Sequence, residues 1–254
     1  VCLLALGCSA ALHAQPAGEY FEGFDHPGKP AARGGISWSC QTELSPASWR
    51  ELIPGDGFAY LSAERDSLSE LPPTARFWPF QTLSLGPVSS NHRISMRARN
   101  TALSGVACML FTYREDSHIN EIDIEIVADD LRRPLSGHAT GTQSGWTDVR
   151  LNTWLDADAK DPIPTHSIRS PILDAKGRRV SHQDGKFHIY TIEWRPDGVR
   201  FFIDRVPQAT LPGPSPRGPA LLIFGMRQMP WAGKPDWTGT QTMLVDWIDI
   251  EPLP

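Results

Sequence analysis

Residues 120–127 read NEIDIEIV. Three carboxylates, Glu121, Asp123 and Glu125, take every second position, and Ile122, Ile124 and Ile126 fill the gaps with no lysine or arginine between them. In an extended strand, residues i, i+2 and i+4 share one face, so the acids point one way and the isoleucines the other. Like charges side by side on a sheet repel. A solvated face would mix Lys, Thr and Glu, so three acids at this spacing ask for a chemical reason. Glycoside hydrolysis supplies one, because a retaining mechanism uses two carboxyl groups about 5–5.5 Å apart, one as nucleophile and one as acid/base.

The spacing makes a structural demand. On a flat strand the Cα atoms of Glu121 and Glu125 stand about 13 Å apart, at roughly 3.3 Å per residue. A concave sheet and two long Glu side chains must close that gap. Asp123, between them, can hydrogen-bond the nucleophile and share the protons of the group. Crowded negative charge raises the pKa of the last acid to ionise, which keeps Glu125 protonated for a leaving oxygen. Two other readings fit the same residues. One is a calcium site, which carboxylates suit as hard ligands although alternate strand positions converge poorly on one ion. The other is a solvated acidic face with no role.

The elements around the motif read as strands. HRISMRAR (92–99) alternates, and VACMLFTY (106–113) is a near-continuous apolar run, as expected of a strand buried on both faces. DVRLNTW (148–154), KFHIYTIEW (186–194), VRFFID (199–204), ALLIFGM (220–226) and MLVDWIDIE (243–251) follow. RPDG (195–198) predicts a hairpin turn, with Gly198 supplying positive φ. Segments 129–147 and 155–185 read as long polar loops flanking the acids, either cleft walls or surface excursions. No stretch keeps a 3.6-residue period beyond about three turns. With 21 glycines and 23 prolines spread over 254 residues, the chain predicts an all-β protein of two antiparallel sheets in one domain.

The formal charge of −5 comes with no basic stripe, which argues against a nucleic-acid partner. Nine tryptophans exceed what a core of this size needs, and flat rings stack on sugar faces. VCLLALGCSAALHAQ at the start resembles the end of a secretory signal, with cleavage after Ala14, so 1–14 is set apart from a domain at 15–254. The alternative is a buried first element. LALGC also permits a lipid anchor at Cys8. The apolar run is too short for a transmembrane helix. Of the four cysteines, Cys40 and Cys108 lie outside the leader. In an exported protein they form either one disulfide or two buried thiols.

E-I-D-I-E behind a strand ending in FTY resembles glycoside hydrolase family 16, in particular its lichenase and xyloglucan transglycosylase branch, where one residue separates the Asp from the second Glu. FHIYTIEWRPDGVRFFIDR (187–205) looks like that family's hairpin and MLVDWIDIEP (243–252) like its closing strand. MRQMPWAGKPDWTG (226–239) takes the place of its Met-Asn-Leu-Trp segment. The likeness runs over roughly residues 90–252. It implies a concanavalin-like β-jelly-roll sandwich of two curved sheets with a concave substrate cleft. It implies Glu121 as nucleophile, Asp123 as helper and Glu125 as acid/base. Trp231, Trp237 and Trp194 would be sugar-stacking rings, and His138 a polar contact. Asp246 matches a structural calcium ligand of some members, and catalysis itself would need no cofactor. Asn120 and Arg227 depart from the pattern, standing where members carry an acid and an Asn.

The resulting expectation is a secreted or periplasmic, monomeric endo-β-glucanase hydrolysing a β-linked polysaccharide with retention, mixed-linked β-1,3-1,4-glucan first. A transglycosylase on the same scaffold and a non-catalytic carbohydrate-binding jelly roll are the alternatives.

Overall fold

A computed structural model describes residues 19–42, 48–66, 80–101, 105–115, 119–127, 146–156, 166–182, 184–229, 232 and 237–254. The leader with Cys8, and also His138 and Trp231, lie outside the described residues. Apart from the short helix α1 (Trp49–Leu52), the regular elements described are strands in two seven-stranded sheets, and every pairing is antiparallel. No helix among the described residues is long and apolar enough to cross a membrane.

The sheet that carries the acids, here the site sheet, runs β2 (Ser37–Thr42), β4 (Gln81–Val88), β13 (Ala220–Gln228), β6 (Val106–Glu115), β7 (Ile119–Val127), β8 (Asp148–Trp154) and β9 (His166–Pro171). The back sheet runs β1 (Tyr20–Glu22), β14 (Gly239–Pro252), β5 (His92–Arg99), β10 (His188–Arg195), β11 (Gly198–Ile203) and β12 (Val206–Pro212), with β3 (Ala59–Arg65) also paired to β14. The chain enters and leaves both sheets repeatedly, so neither is a local product of sequence.

One core fills the space between them. Ile122, Ile124 and Ile126 join Leu83, Leu110 and Phe224 in a single buried cluster with Ile94, Tyr190, Ile192, Phe201 and Ile248 of the back sheet. Alternation along each strand thus sends one residue in two into the sandwich. The β10–β11 turn follows RPDG as expected. Gly198 has φ +152°, and a Cβ there would meet the Leu211 carbonyl oxygen at 2.6 Å, so no side chain fits between the hairpin and β12.

Two sequence expectations need correcting, and one open alternative is decided. Trp194 is fully buried in the core on β10, and its indole Nε1 donates to Ser215 Oγ at 3.2 Å. It packs the back sheet and lines no cleft. Cys40 and Cys108 are free thiols. They sit on β2 and β6, with β4 and β13 between them. Three strand spacings of about 4.8 Å exceed the reach of a disulfide. Finally, 155–185 is not all loop: it contains β9, which extends the site sheet past β8.

Candidate active site

Register assembles the site. Across β7, Glu121 lies between Tyr113 of β6 and Trp154 of β8, Asp123 between Phe111 and Asn152, and Glu125 between Met109 and Arg150. One more strand out, Ser167 stands opposite Asn152 and Arg169 opposite Arg150. The acids therefore have an apolar flank on β6 and a polar flank on β8. Met109, Phe111, Tyr113, Ile119, Val127 and Ile223 form a second hydrophobic cluster on this outer face, apart from the main core. That cluster strips water from the carboxylates beside it. Asp123 and Glu125 are 3% and 8% exposed.

The polar flank supplies the donors. Asn152 Nδ2 donates to Asp123 Oδ2 at 3.1 Å and to Glu125 Oε2 at 2.9 Å. Trp154 Nε1 donates to the same Asp123 oxygen at 3.0 Å. Ser167 Oγ donates to Asn152 Oδ1 at 2.6 Å, which fixes which way the amide faces. Asp123 is also hydrogen-bonded to Glu121. The result is a continuous chain from Glu121 through Asp123 and Asn152 to Glu125. Arg150 Nε reaches Glu125 Oε2 at 3.6 Å.

Burial shifts these acids strongly. Asp123 is raised well above its ordinary value by desolvation, then by the charge of Glu121 and the hydrogen bond shared with it. Glu125 is pushed up to about 8 by burial and by the charge of Asp123, while Arg150, Asn152 and Arg169 pull the other way. Near neutral pH, Glu125 is a protonated acid able to donate, which is the state a leaving oxygen requires.

Asn152 and Trp154 escaped the sequence reading. DVRLNTW does place Arg150, Asn152 and Trp154 on one face, but only the β7–β8 register shows that this face meets the acids. Trp237 is buried at 8% exposure and packs against the main core cluster. Asn120 bonds Asp156 through Nδ2 at 3.1 Å and accepts from the Arg217 amide at 3.1 Å, which makes it a brace at the end of β7. Arg227 lies over the Phe80 ring at 5.1 Å.

Asp246, which the resemblance implied as a calcium ligand, is engaged by a guanidinium here. It sits at an irregularity in the β14–β5 register, and its carboxylate receives the Arg97 guanidinium in an ion pair. A hard cation would have to displace that charge, so these residues do not fit calcium.

Two antiparallel β sheets packed face to face, with a chain of buried acids on one outer face, define the class: a β-sandwich of the glycoside hydrolase kind. The chain belongs to glycosyl hydrolases family 16, whose family model matches residues 89–249. Among solved structures it resembles a prokaryotic β-1,3-1,4-glucanase (lichenase) derived from a mouse hindgut metagenome, at 17% identity and TM-score 0.64, covering 93% of this chain and 100% of that one. It also resembles Rv0315, a pseudo β-1,3-glucanase of Mycobacterium tuberculosis, at 15% identity, TM-score 0.60 and coverage of 92% and 98%. A third likeness is to the Crh5 transglycosylase, at 18% identity, TM-score 0.58 and coverage of 94% and 86%. No curated protein sequence matches the chain significantly.

Proposed function

We propose that the protein is an exported, retaining endo-β-glucanase, acting on mixed-linked β-1,3-1,4-glucan before other β-glucans. The observation that carries this reading is the hydrogen-bonded chain Glu121–Asp123–Asn152–Glu125, which ends in a carboxyl raised to about 8. It keeps Glu125 protonated to act as the acid, as a double displacement needs.

Glu121 attacks the anomeric carbon while Glu125 gives its proton to the departing glycosidic oxygen. The C–O bond to the leaving sugar breaks, and an ester to Glu121 forms. Glu125, now a carboxylate, takes a proton from water. The water oxygen bonds the anomeric carbon and Glu121 leaves with its electron pair. Asp123 acts through its hydrogen bond to Glu121, holding the nucleophile and adjusting its charge as the ester forms and breaks. Asn152 holds Asp123 and Glu125 in register with each other. The sequence needs no cofactor.

Export rests on the leader-like residues 1–14, and a monomer is the working assembly. The lichenase likeness supports the first substrate. Transfer to a second sugar would use the same steps with a sugar hydroxyl in place of water. The likeness to a pseudo β-1,3-glucanase supports the third reading, a non-catalytic binder. Product analysis on β-1,3, β-1,4 and mixed-linked glucans tests all three. Shortened oligosaccharides with retained β configuration support the hydrolase. Lengthened products support the transferase, and unchanged polymer with measurable binding overturns catalysis.

A further inference from the structure

Away from the acids, two histidines and two aspartates meet where the stretch leading from β9 to β10 packs against the β11–β12 turn. His188 Nδ1 lies 2.7 Å from Asp204 Oδ2, and its Nε2 lies 3.1 Å from Asp184 Oδ1. His182 Nε2 lies 3.9 Å from the same Asp204 oxygen. One nitrogen of each histidine and one Asp204 oxygen fall within 4.8 Å of one another. The glycosidase chemistry uses none of these groups.

We propose that His182, His188 and Asp204 form a zinc site that ties the β9–β10 connection to the back sheet. Two imidazoles and a carboxylate are a ligand set that zinc accepts and calcium does not favour. The outer groups are already arranged as a metal site needs them. His182 Nδ1 is hydrogen-bonded to Tyr190 Oη at 2.9 Å, and Asn100 Nδ2 donates to that oxygen at 2.6 Å. The second oxygen of Asp204 accepts the Ile189 amide at 2.9 Å. That leaves His182 Nε2 and Asp204 Oδ2 facing the ion position. Asp204 and Arg205 take φ +50° and +65°, the pair of left-handed residues that a two-residue hairpin turn uses, which fixes Asp204 at the tip of β11–β12. A cavity of about 440 Å³ opens beside the cluster, lined in part by Arg179, Asp184 and Val180, and leaves room for a fourth ligand.

One movement is required. The two rings stack 3.6 Å apart, 11° from parallel, and a single ion cannot lie in both planes. His182 is 3% exposed and anchored by Tyr190, so His188 is the ring that swings, releasing Asp184.

The test uses the full chain stripped with a chelator, then titrated calorimetrically with zinc, with calcium as control. Cobalt provides an optical reading of the ligand field. The expected result is one zinc per chain, a raised melting temperature, a tetrahedral cobalt spectrum and no response to calcium. Asp204→Asn keeps the oxygen that accepts from Ile189 and should weaken zinc at least tenfold. His188→Gln is the second variant and should do the same. Absence of zinc binding in the parent chain overturns the proposal. So does zinc affinity with an unchanged cobalt spectrum in both folded variants.

Discussion

The outer faces of the two sheets treat carboxylates in opposite ways. On the back sheet, Arg93 spans Glu193 at 2.8 Å and Glu251 at 2.7 Å, and Arg97 closes on Asp246. These three acids each have a guanidinium at contact distance, whereas Asp249 on the same face is raised by burial and by the charges of Glu251 and Glu19. On the site sheet, Asp123 and Glu125 receive neutral amide and indole donors, and Arg150 stands off Glu125 at 3.6 Å. The difference is that one face pairs Glu193, Glu251 and Asp246 with guanidinium groups and the other keeps its acids short of a close ion pair. On the proposed function, reactivity lies where a close ion pair has been withheld.

Replacing the acids should break the comparison most sharply. Glu121→Gln and Glu125→Gln are each expected to lower turnover on polysaccharide by about 10³-fold or more. Reducing-sugar release, with circular dichroism to confirm folding, measures it. Normal turnover by Glu125→Gln would remove that residue from the acid role.

Supplying less support to Glu125 should sharpen the comparison. Asn152→Ala removes the amide that bridges Asp123 and Glu125 and should cost about 10- to 100-fold in kcat/KM. Because that hydrogen bond lowers the Glu125 pKa, its loss should also move the alkaline limb of the pH profile upward. A loss of rate with an unmoved limb would mean Asn152 only packs.

In the parent enzyme, kcat/KM should fall as pH rises through about 8, the value to which Glu125 is raised. Stability follows the same group. Between 4.5 and about 8 the folded chain holds a proton that the unfolded chain has released, so this contribution weakens as pH rises across that window. Glu125→Gln should lack that part of the slope. Melting temperatures of both proteins from about pH 5 to 9 check this, and parallel curves would contradict it.

The back sheet should answer in stability and not in rate. Arg93 is 40% exposed at its side chain while Glu193 is 7% exposed, so Arg93→Ala is expected to cost about 1–2 kcal/mol, discounted for solvent screening. Arg33→Ala, at the rim pair with Glu22, should change stability by about 0.5 kcal/mol or less. Denaturant midpoints beside unchanged kcat measure both, and lost activity in Arg93→Ala would couple the two faces.

Strands whose own residues alternate were legible in the sequence. HRISMRAR became β5, VACMLFTY the body of β6, and EIDIEIV the body of β7. The stretch before residue 90 was not. β1 and β3 pair with β14 across most of the chain's length, and β4 carries Leu83, Leu85 and Val88 inward among Ser, Thr, Gly and Pro. Local pattern is weak there because distant partners supply the pairing. The three acids were visible because their own strand sets their spacing. Asn152 and Trp154 were hidden, since register between strands decides what stands opposite them. Trp194 misled because an indole serves a core as readily as a cleft, and Asp246 because its arginine partner lies 149 positions away.

The thiol of Cys108 offers a use unrelated to any redox role. It lies on β6 opposite Ile126 of β7 and is fully sequestered, with burial raising its pKa to about 11. A thiol reagent can reach it only when the layers part beneath the acid strand. In a Cys2→Ser, Cys8→Ser, Cys40→Ser background, the rate of labelling at the one remaining thiol would clock how often the floor under the acid strand opens. Substrate bound above should slow that clock.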